Sequence, residues 1–151
     1  NTYAPLGYVQ WAVSELRKAV SDANRETSAV EVTCMLATRL TEHPESVMPG
    51  LKHRIVRLLK EPGMGDLLLG RGGLDTSIVD EVRKADKAGD LDRAVAQVPD
   101  ELVREFYLLG DAKEIRRRVE KYREAGVDQP LILTPLKHFK AVAEALSPKH
   151  I

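Results

Sequence analysis

The chain has 151 residues, of which 43% are hydrophobic and 30% charged, as in an ordinary soluble globular domain, so a fibrous repeat or wholesale disorder is excluded. Its 23 Lys and Arg residues balance 23 Asp and Glu residues, and we therefore expect neither nucleic acid nor an anionic membrane as a partner. The single cysteine excludes an internal disulfide and suits a cytoplasmic protein, and no apolar run reaches the roughly 18 residues that span a bilayer.

The first forty residues predict one long helix and one buried strand. The chain begins without an initiating Met or a signal-peptide pattern, so we expect that it was cut or begins within a longer protein. Apolar residues recur at the helical period over 6–23. Apolar and β-branched residues then alternate over 30–38, where Cys34 reads as a small buried hydrophobe.

Two further helices are predicted in the middle of the chain. The helical period returns over 46–60, and Pro44 suits an early helical position. A second helix is expected over 76–88, with Asp75 or Thr76 as its cap and Gly89 at its end.

The strongest local signal is a complete helix over 112–125. Asp111 and Glu114 have the spacing of a capping box, and Gly126 stands where a left-handed residue ends a helix. Before it, a short helical segment is predicted to begin at Pro99 and to end near Gly110.

A second strand is predicted at 131–134, followed by a last helix. Each predicted strand is followed by helices, which indicates βα units, so strands 30–38 and 131–134 should be parallel neighbours. Two strands are too few for a sheet that stands alone.

Four segments resemble, in order and spacing, the closing stretch of luciferase-like monooxygenases, a "vPdelv…GdpeeI…yreaGvd" pattern that leads into the last barrel strand. The segments are 98–103, 108–111, 114–115 and 122–128, and the strand is 131–134.

Upstream, residues 8–23 and 30–39 resemble the preceding helix and strand of that family, and 48–97 resemble its helical insertion. The resemblance implies one domain over 1–151, the C-terminal part of a (β/α)8 TIM barrel that is α/β in class, mostly helical, with an insertion at about 44–110. It implies a parent oxidoreductase that transfers hydride between coenzyme F420 or FMN and a small organic substrate. The F420 subgroup, including methylenetetrahydromethanopterin reductases, is the most similar.

The chain departs from the family in its number of strands. A full barrel takes about 250 residues and eight strands, so most cofactor and substrate contacts have no counterpart, and no catalytic residue is carried over. We therefore expect this fragment to be inactive alone. The alternative is a non-enzymatic interaction module, and in either case the uncovered strand 30–36 predicts a homo-oligomer.

Two residues at predicted strand ends are the candidate cofactor contacts, because active sites of TIM barrels lie at the carboxyl ends of strands. Arg39 could bind a phosphate or carboxylate, or could pair with Glu42 as a surface ion pair. Thr134 could contact cofactor, or could cap the helix that contains Lys137.

Other chemistry-bearing residues predict structure rather than a site. The glycine-rich run 70–73 has no preceding strand and no Gly-Lys-Ser ending, which favours a turn over a phosphate loop. The four histidines are scattered, so no metal site is expected. The basic run 116–118 lies among acidic residues and predicts a solvated helix face.

Overall fold

The computed structural model describes residues 4–147, which form a small parallel sheet and the helices packed around it. In chain order the elements are α1 (Leu6–Asp22), β1 (Thr33–Leu40), α2 (Pro44–Lys60), α3 (Met64–Arg71), α4 (Ser77–Lys87), α5 (Leu91–Ala96), α6 (Asp100–Phe106), β2 (Leu108–Gly110), α7 (Ala112–Glu124), β3 (Gln129–Leu133) and α8 (Phe139–Leu146). The four helices predicted over 6–23, 46–60, 76–88 and 112–125 are confirmed as α1, α2, α4 and α7. No helix in this part of the chain has both the length and the apolarity to cross a membrane.

The sheet has the order β2-β1-β3. The predicted parallel pairing is confirmed, with Thr33 of β1 opposite Gln129 of β3 and Ala37 opposite Leu133. The short strand β2 pairs with the other side of β1, also in parallel, where Thr38 lies opposite Leu108. The prediction that a helical segment continues to Gly110 was wrong, because three apolar residues are too few to display strand alternation and only pairing with β1 defines them.

The two faces of the sheet have different surroundings. Cys34 and Leu36 are buried, and Cys34 lies at a cleft beside Val9 and Val13 of α1. Side chains alternate between faces, so the opposite face carries Met35 of β1 and the leucines of β3. On that side Met35, Leu131 and Leu133 remain 39%, 47% and 39% exposed, and we call these three residues the open face.

Helix α2 is the centre of the helical segment between β1 and β2. It packs against α3, α4, α5 and α6, and Leu59 on its inner side is fully buried. Burying each leucine contributes roughly 1.5–3 kcal/mol. The short helices α3 and α5 were not predicted as separate elements, because segments of eight and six residues show little periodicity.

This helical segment contacts α1 through two glycines. A Cβ atom on Gly7 would collide with the backbone oxygen of Gly72, just after α3. Backbone therefore meets backbone where α1 and α3 cross, and only residues without side chains permit that approach.

The ends of α7 are fixed much as its sequence predicts. Asp111 Oδ1 accepts a 2.8 Å hydrogen bond from the Glu114 amide, which is half of a capping box. The Glu114 carboxylate pairs with Arg117 instead of returning to Asp111. Gly126 has φ +92° after the helix, and a Cβ there would lie 2.8 Å from Val13 Cγ1. Gly89 likewise has positive φ after α4.

Asp128 joins the amino ends of β1 and β3. Its Oδ2 atom accepts hydrogen bonds from the Val32 amide at 2.8 Å and from Arg17 at 3.0 Å. Arg17 also donates to the carbonyl oxygen of Val30 at 2.7 Å. The hydrogen bond from Val32, with the charge of Arg17, holds the pKa of the Asp128 carboxyl below its ordinary value. The amino ends of both strands and α1 are therefore fastened at one carboxylate.

Candidate functional site

The three strands end at one edge of the sheet. Because they run parallel, Leu40, Gly110 and Leu133 mark the same side of the molecule, which we call the carboxyl edge. Beyond the last pair, the Thr41 amide donates a 2.9 Å hydrogen bond to the Gly110 carbonyl, so β1 and β2 stay together past the ladder. Carboxyl ends of parallel strands are where α/β folds place ligands.

Arg39 lies near the end of β1 and is half-buried. Its Nη1 atom donates a 2.7 Å hydrogen bond to the Thr38 carbonyl, and its guanidinium carbon lies 5.6 Å from the centre of the Tyr107 ring. Within residues 4–147 it forms no ion pair with Glu42, which was the alternative role predicted for it. The remaining guanidinium donors give this edge a positive charge that an anion could use.

Thr134 directly follows β3, and its Oγ1 atom is buried. Within the described chain that hydroxyl has no hydrogen-bond partner. The predicted capping role is not seen, because Leu136–His138 form a 3-10 turn that begins without a side-chain cap. An unpaired buried hydroxyl costs about 1–3 kcal/mol, so this atom suits a group supplied from outside these residues.

The two candidate residues share the carboxyl edge but stand at the ends of different strands. Thr134 comes one residue after the Ala37–Leu133 pair, and Arg39 comes two residues after it, on adjacent strands. Arg39 contacts Tyr107, which precedes β2, whereas Thr134 follows β3 on the other side of β1. A ligand contacting both would therefore cross the end of β1.

Tyr107 is a residue that the sequence analysis missed. It is fully buried, contacts Arg39 and lines a groove against α2. The uninterrupted apolar run 106–109 ahead of Gly110 was the available signal, because a short buried strand can have that composition.

The other residues that the sequence singled out lie in places that indicate a structural role. Burial raises the pKa of the Cys34 thiol, as expected for a small hydrophobe in a strand. In the glycine-rich run, the amides of Gly72 and Gly73 donate to the carbonyls of Leu68 and Gly70, which confirms a turn at the end of α3. Residues 4–147 hold no group of three His, Cys, Asp or Glu side chains placed for a metal ion.

Comparison with known families gives a match over most of the chain. The sequence model of the family described as luciferase-like monooxygenase matches residues 1–129.

Individual relatives agree with that match. The chain is 23% identical over 125 residues to 5,10-methylenetetrahydromethanopterin reductase of Methanopyrus kandleri, covering 83% of this chain and 35% of that protein. It is 35% identical over 57 residues to a Mycobacterium tuberculosis protein named as a coenzyme F420-dependent oxidoreductase, covering 38% of this chain and 16% of that protein. The chain thus spans about a third or less of these relatives.

A solved structure shares the fold. The coenzyme F420 dependent tetrahydromethanopterin reductase from Methanopyrus kandleri superposes with a TM-score of 0.72 at 19% identity, covering 97% of this chain and 42% of that chain. The prediction of a partial TIM barrel is therefore confirmed, with three parallel strands in place of the expected two.

Proposed function

Because the chain belongs to the luciferase-like monooxygenase family, we propose that it is the C-terminal part of an oxidoreductase that transfers hydride between coenzyme F420 or FMN and a small organic substrate. The names of the two relatives support F420 over FMN. The cofactor supplies the hydride chemistry when bound, and the protein supplies orientation and the exclusion of water.

The Thr134 hydroxyl carries this proposal. It is a buried polar atom without a partner in the described chain, at the carboxyl edge of a partial barrel. Flavin and deazaflavin rings present carbonyl and nitrogen groups along their edges, and these would satisfy the hydroxyl. The residues present therefore fit such a group.

Arg39 has the complementary role in the proposal. Both cofactors carry phosphate, and a guanidinium binds phosphate through paired hydrogen bonds. Its hydrogen bond to the Thr38 carbonyl and its contact with Tyr107 limit the positions that its side chain can take. Arg39 would hold the charged part of the cofactor, and Thr134 would orient a polar group of the ring.

We further propose that the 151-residue chain alone has no measurable reductase activity. It holds three parallel strands in residues 4–147, whereas a barrel uses eight, and catalytic groups of such enzymes come from several strand ends. An incomplete ring of strands leaves cofactor and substrate without a common position.

Titration of the purified chain with F420 and with FMN, followed by fluorescence, tests the cofactor contact. Thr134→Val should weaken binding about threefold to tenfold, the effect of one hydrogen bond, while Thr134→Ser should bind like the parent. Equal binding by the Val variant, or no binding of either cofactor at millimolar concentration, would contradict the contact. Turnover by the pure chain, with longer enzyme excluded by mass spectrometry, would contradict the proposed inactivity.

A second candidate function is a non-enzymatic module that associates with a second copy of itself, and the open face favours it. Met35, Leu131 and Leu133 expose apolar surface on neighbouring strands. At roughly 25 cal/mol per Å², covering a patch of a few hundred Å² stabilises an assembly by several kcal/mol before association costs.

The geometry favours contact through the face rather than through the strand edge. The Gln129 amide donates to the carbonyl of Val32, the residue before β1, so the backbone groups of the next residue, Pro130, point to the free edge of β3. Proline has no N–H, and its position there protects the edge from further pairing. A two-fold dimer would therefore stack open faces.

Light scattering with size exclusion at low micromolar concentration tests the dimer. The expected mass is about twice 16.8 kDa, and Leu131→Lys should return it to the monomer value. Leu91→Lys is a matched control, since Leu91 is 49% exposed on α5. A parent chain that elutes with the mass of a monomer would contradict the proposal that the chain self-associates. The compartment proposed for either function is the cytoplasm, as predicted from the single cysteine.

A further inference from the structure

A groove on α2 has features of a ligand site that the proposed oxidoreductase function does not use. It encloses about 280 Å³ and does not include Thr134 or β3. We call it the Arg54–Arg57 groove, and its lining residues are Arg54, Ile55, Arg57, Leu58, Glu61 and Tyr107.

The floor of the groove is apolar and fixed. Ile55 and Tyr107 are buried, and Leu58 is half-buried beside them. Because α2 packs on four other helices, the floor belongs to the core of the helical segment. The groove therefore has a rigid apolar base rather than a base of mobile surface side chains.

The rim carries two arginines, Arg54 and Arg57, that form no ion pair within the described residues. Both side chains are exposed. Other cations of this segment do pair: Lys52 with Asp100 at 2.7 Å, Lys60 with Asp86 at 3.1 Å and Arg83 with Asp66 at 2.8 Å. The charges of Lys52, Lys60 and Arg83 are therefore balanced by acids, whereas the positive charges of Arg54 and Arg57 remain at the groove.

The remaining charges around the groove do not reverse this balance. Glu61 is the one acidic residue among those that line it, and Arg83 holds the Glu61 backbone by a 3.1 Å hydrogen bond to its carbonyl. Arg39 does not line the groove, although its guanidinium carbon lies 5.6 Å from the centre of the Tyr107 ring. Among the lining residues, the two guanidiniums of Arg54 and Arg57 outnumber the one carboxylate of Glu61, which favours an anion.

We propose that the Arg54–Arg57 groove binds a small amphipathic anion, with one apolar ring or short chain on the floor and a carboxylate or phosphate group between Arg54 and Arg57. The volume of about 280 Å³ lies just below the range of small-molecule sites, about 300–1,000 Å³, which suits a ligand of one ring or one short chain. Guanidinium groups bind carboxylates and phosphates through paired, charge-assisted hydrogen bonds, so both head groups satisfy the rim.

Calorimetric titration of the purified chain with four probes tests the proposal. Phenyl phosphate and benzoate carry both required parts, benzyl alcohol lacks the charge, and inorganic phosphate lacks the ring. One of the first two should bind at least tenfold more tightly than benzyl alcohol and than inorganic phosphate. The tighter of the two identifies the head group.

Variants then place the binding in the groove. Arg54→Gln combined with Arg57→Gln should weaken binding of the better probe at least tenfold, while Arg93→Gln, an exposed arginine on α5, should leave it unchanged. Leu58→Ser should weaken phenyl phosphate without weakening inorganic phosphate. Unaltered urea midpoints confirm that each variant folds.

Three results would overturn the proposal: equal binding by the double variant, equal binding of benzyl alcohol, or equal binding of inorganic phosphate. None of these depends on Thr134, so failure here leaves the cofactor titration unaffected. Conversely, weakened cofactor binding by Thr134→Val together with unchanged probe binding would separate the groove from the carboxyl edge.

Discussion

The Oδ2 atom of Asp128 lies 2.8 Å from the backbone nitrogen of Val32, so one carboxylate holds together the segments that lead into β3 and β1. This contact lies at the amino ends of the strands, opposite the carboxyl edge. In barrels that side serves stability, while the carboxyl side carries the chemistry.

Asp128 should make the stability of the fold fall at low pH. Its lowered pKa means that its contribution is fully present above the unfolded value of about 3.9 and is lost as pH falls through the lower, folded value. Asp128→Asn should therefore have a lower urea midpoint than the parent at pH 7, and the difference should shrink towards pH 3. Glu26→Gln, at an exposed acid, is the control. A difference in urea midpoint between Asp128→Asn and the parent that stays constant with pH would contradict this role.

The Tyr122 hydroxyl donates a 3.0 Å hydrogen bond to the Ala4 carbonyl, and burial raises the pKa of Tyr122 to about 12. Tyr122→Phe leaves that carbonyl without its partner, and we expect the free energy of unfolding to fall by about 1–3 kcal/mol. Tyr8→Phe, at a half-buried ring beside Trp11, should change it by about 0.5 kcal/mol at most. Urea unfolding measures the free energy of unfolding of both variants. Equal losses in Tyr122→Phe and Tyr8→Phe would show that the Tyr122 hydrogen bond does not cause the effect.

Gly126 and Gly89 both have positive φ, but their surroundings differ. A Cβ on Gly126 would lie 2.8 Å from Val13 Cγ1, whereas one on Gly89 would meet nothing within 4 Å. Both Ala variants pay the backbone strain, of about 1 kcal/mol or more, and Gly126→Ala should lose further stability because Val13 must move. Similar thermal midpoints for the two variants would show that the contact with Val13 is unimportant.

The cap of α7 rests on one oxygen. Asp111→Ala removes the acceptor for the Glu114 amide and should cost about 1 kcal/mol, which lowers the thermal midpoint by about 2–4 °C in a chain of this size. Asp111→Asn keeps a side-chain oxygen at the same place and should stay near the parent. Scanning calorimetry compares them, and an Asn variant as unstable as the Ala variant would argue against capping.

The fold was predictable where a single segment contains the whole signal. Helix α7 carries its cap, its apolar stripe and its terminating Gly126 within sixteen residues of sequence, and its predicted bounds hold to within a residue. The parallel pairing of β1 with β3 followed from strands that alternate with helices.

What could not be predicted depends on distant partners. Leu108–Gly110 become a strand because Thr38–Leu40 lie beside them, and nothing within three residues signals that pairing. The same holds at the candidate site. Arg39 and Thr134 were found because strand ends are visible in sequence, but the Tyr107 ring beside Arg39 and the burial of the Thr134 hydroxyl are tertiary facts.

The contact between Val32 and Asp128 also has a consequence for folding during synthesis, because Val32 is made long before Asp128. These residues are 96 positions apart, so at a synthesis rate of about 5–20 residues per second roughly 5–20 seconds pass between them. During that interval β3 does not yet exist, and α1 can cover only one of the two apolar faces of β1. The edge of β1 that later pairs with β3 is therefore open to aggregation on the ribosome, and a chaperone that holds it there should raise the yield of folded chain more than one added after synthesis.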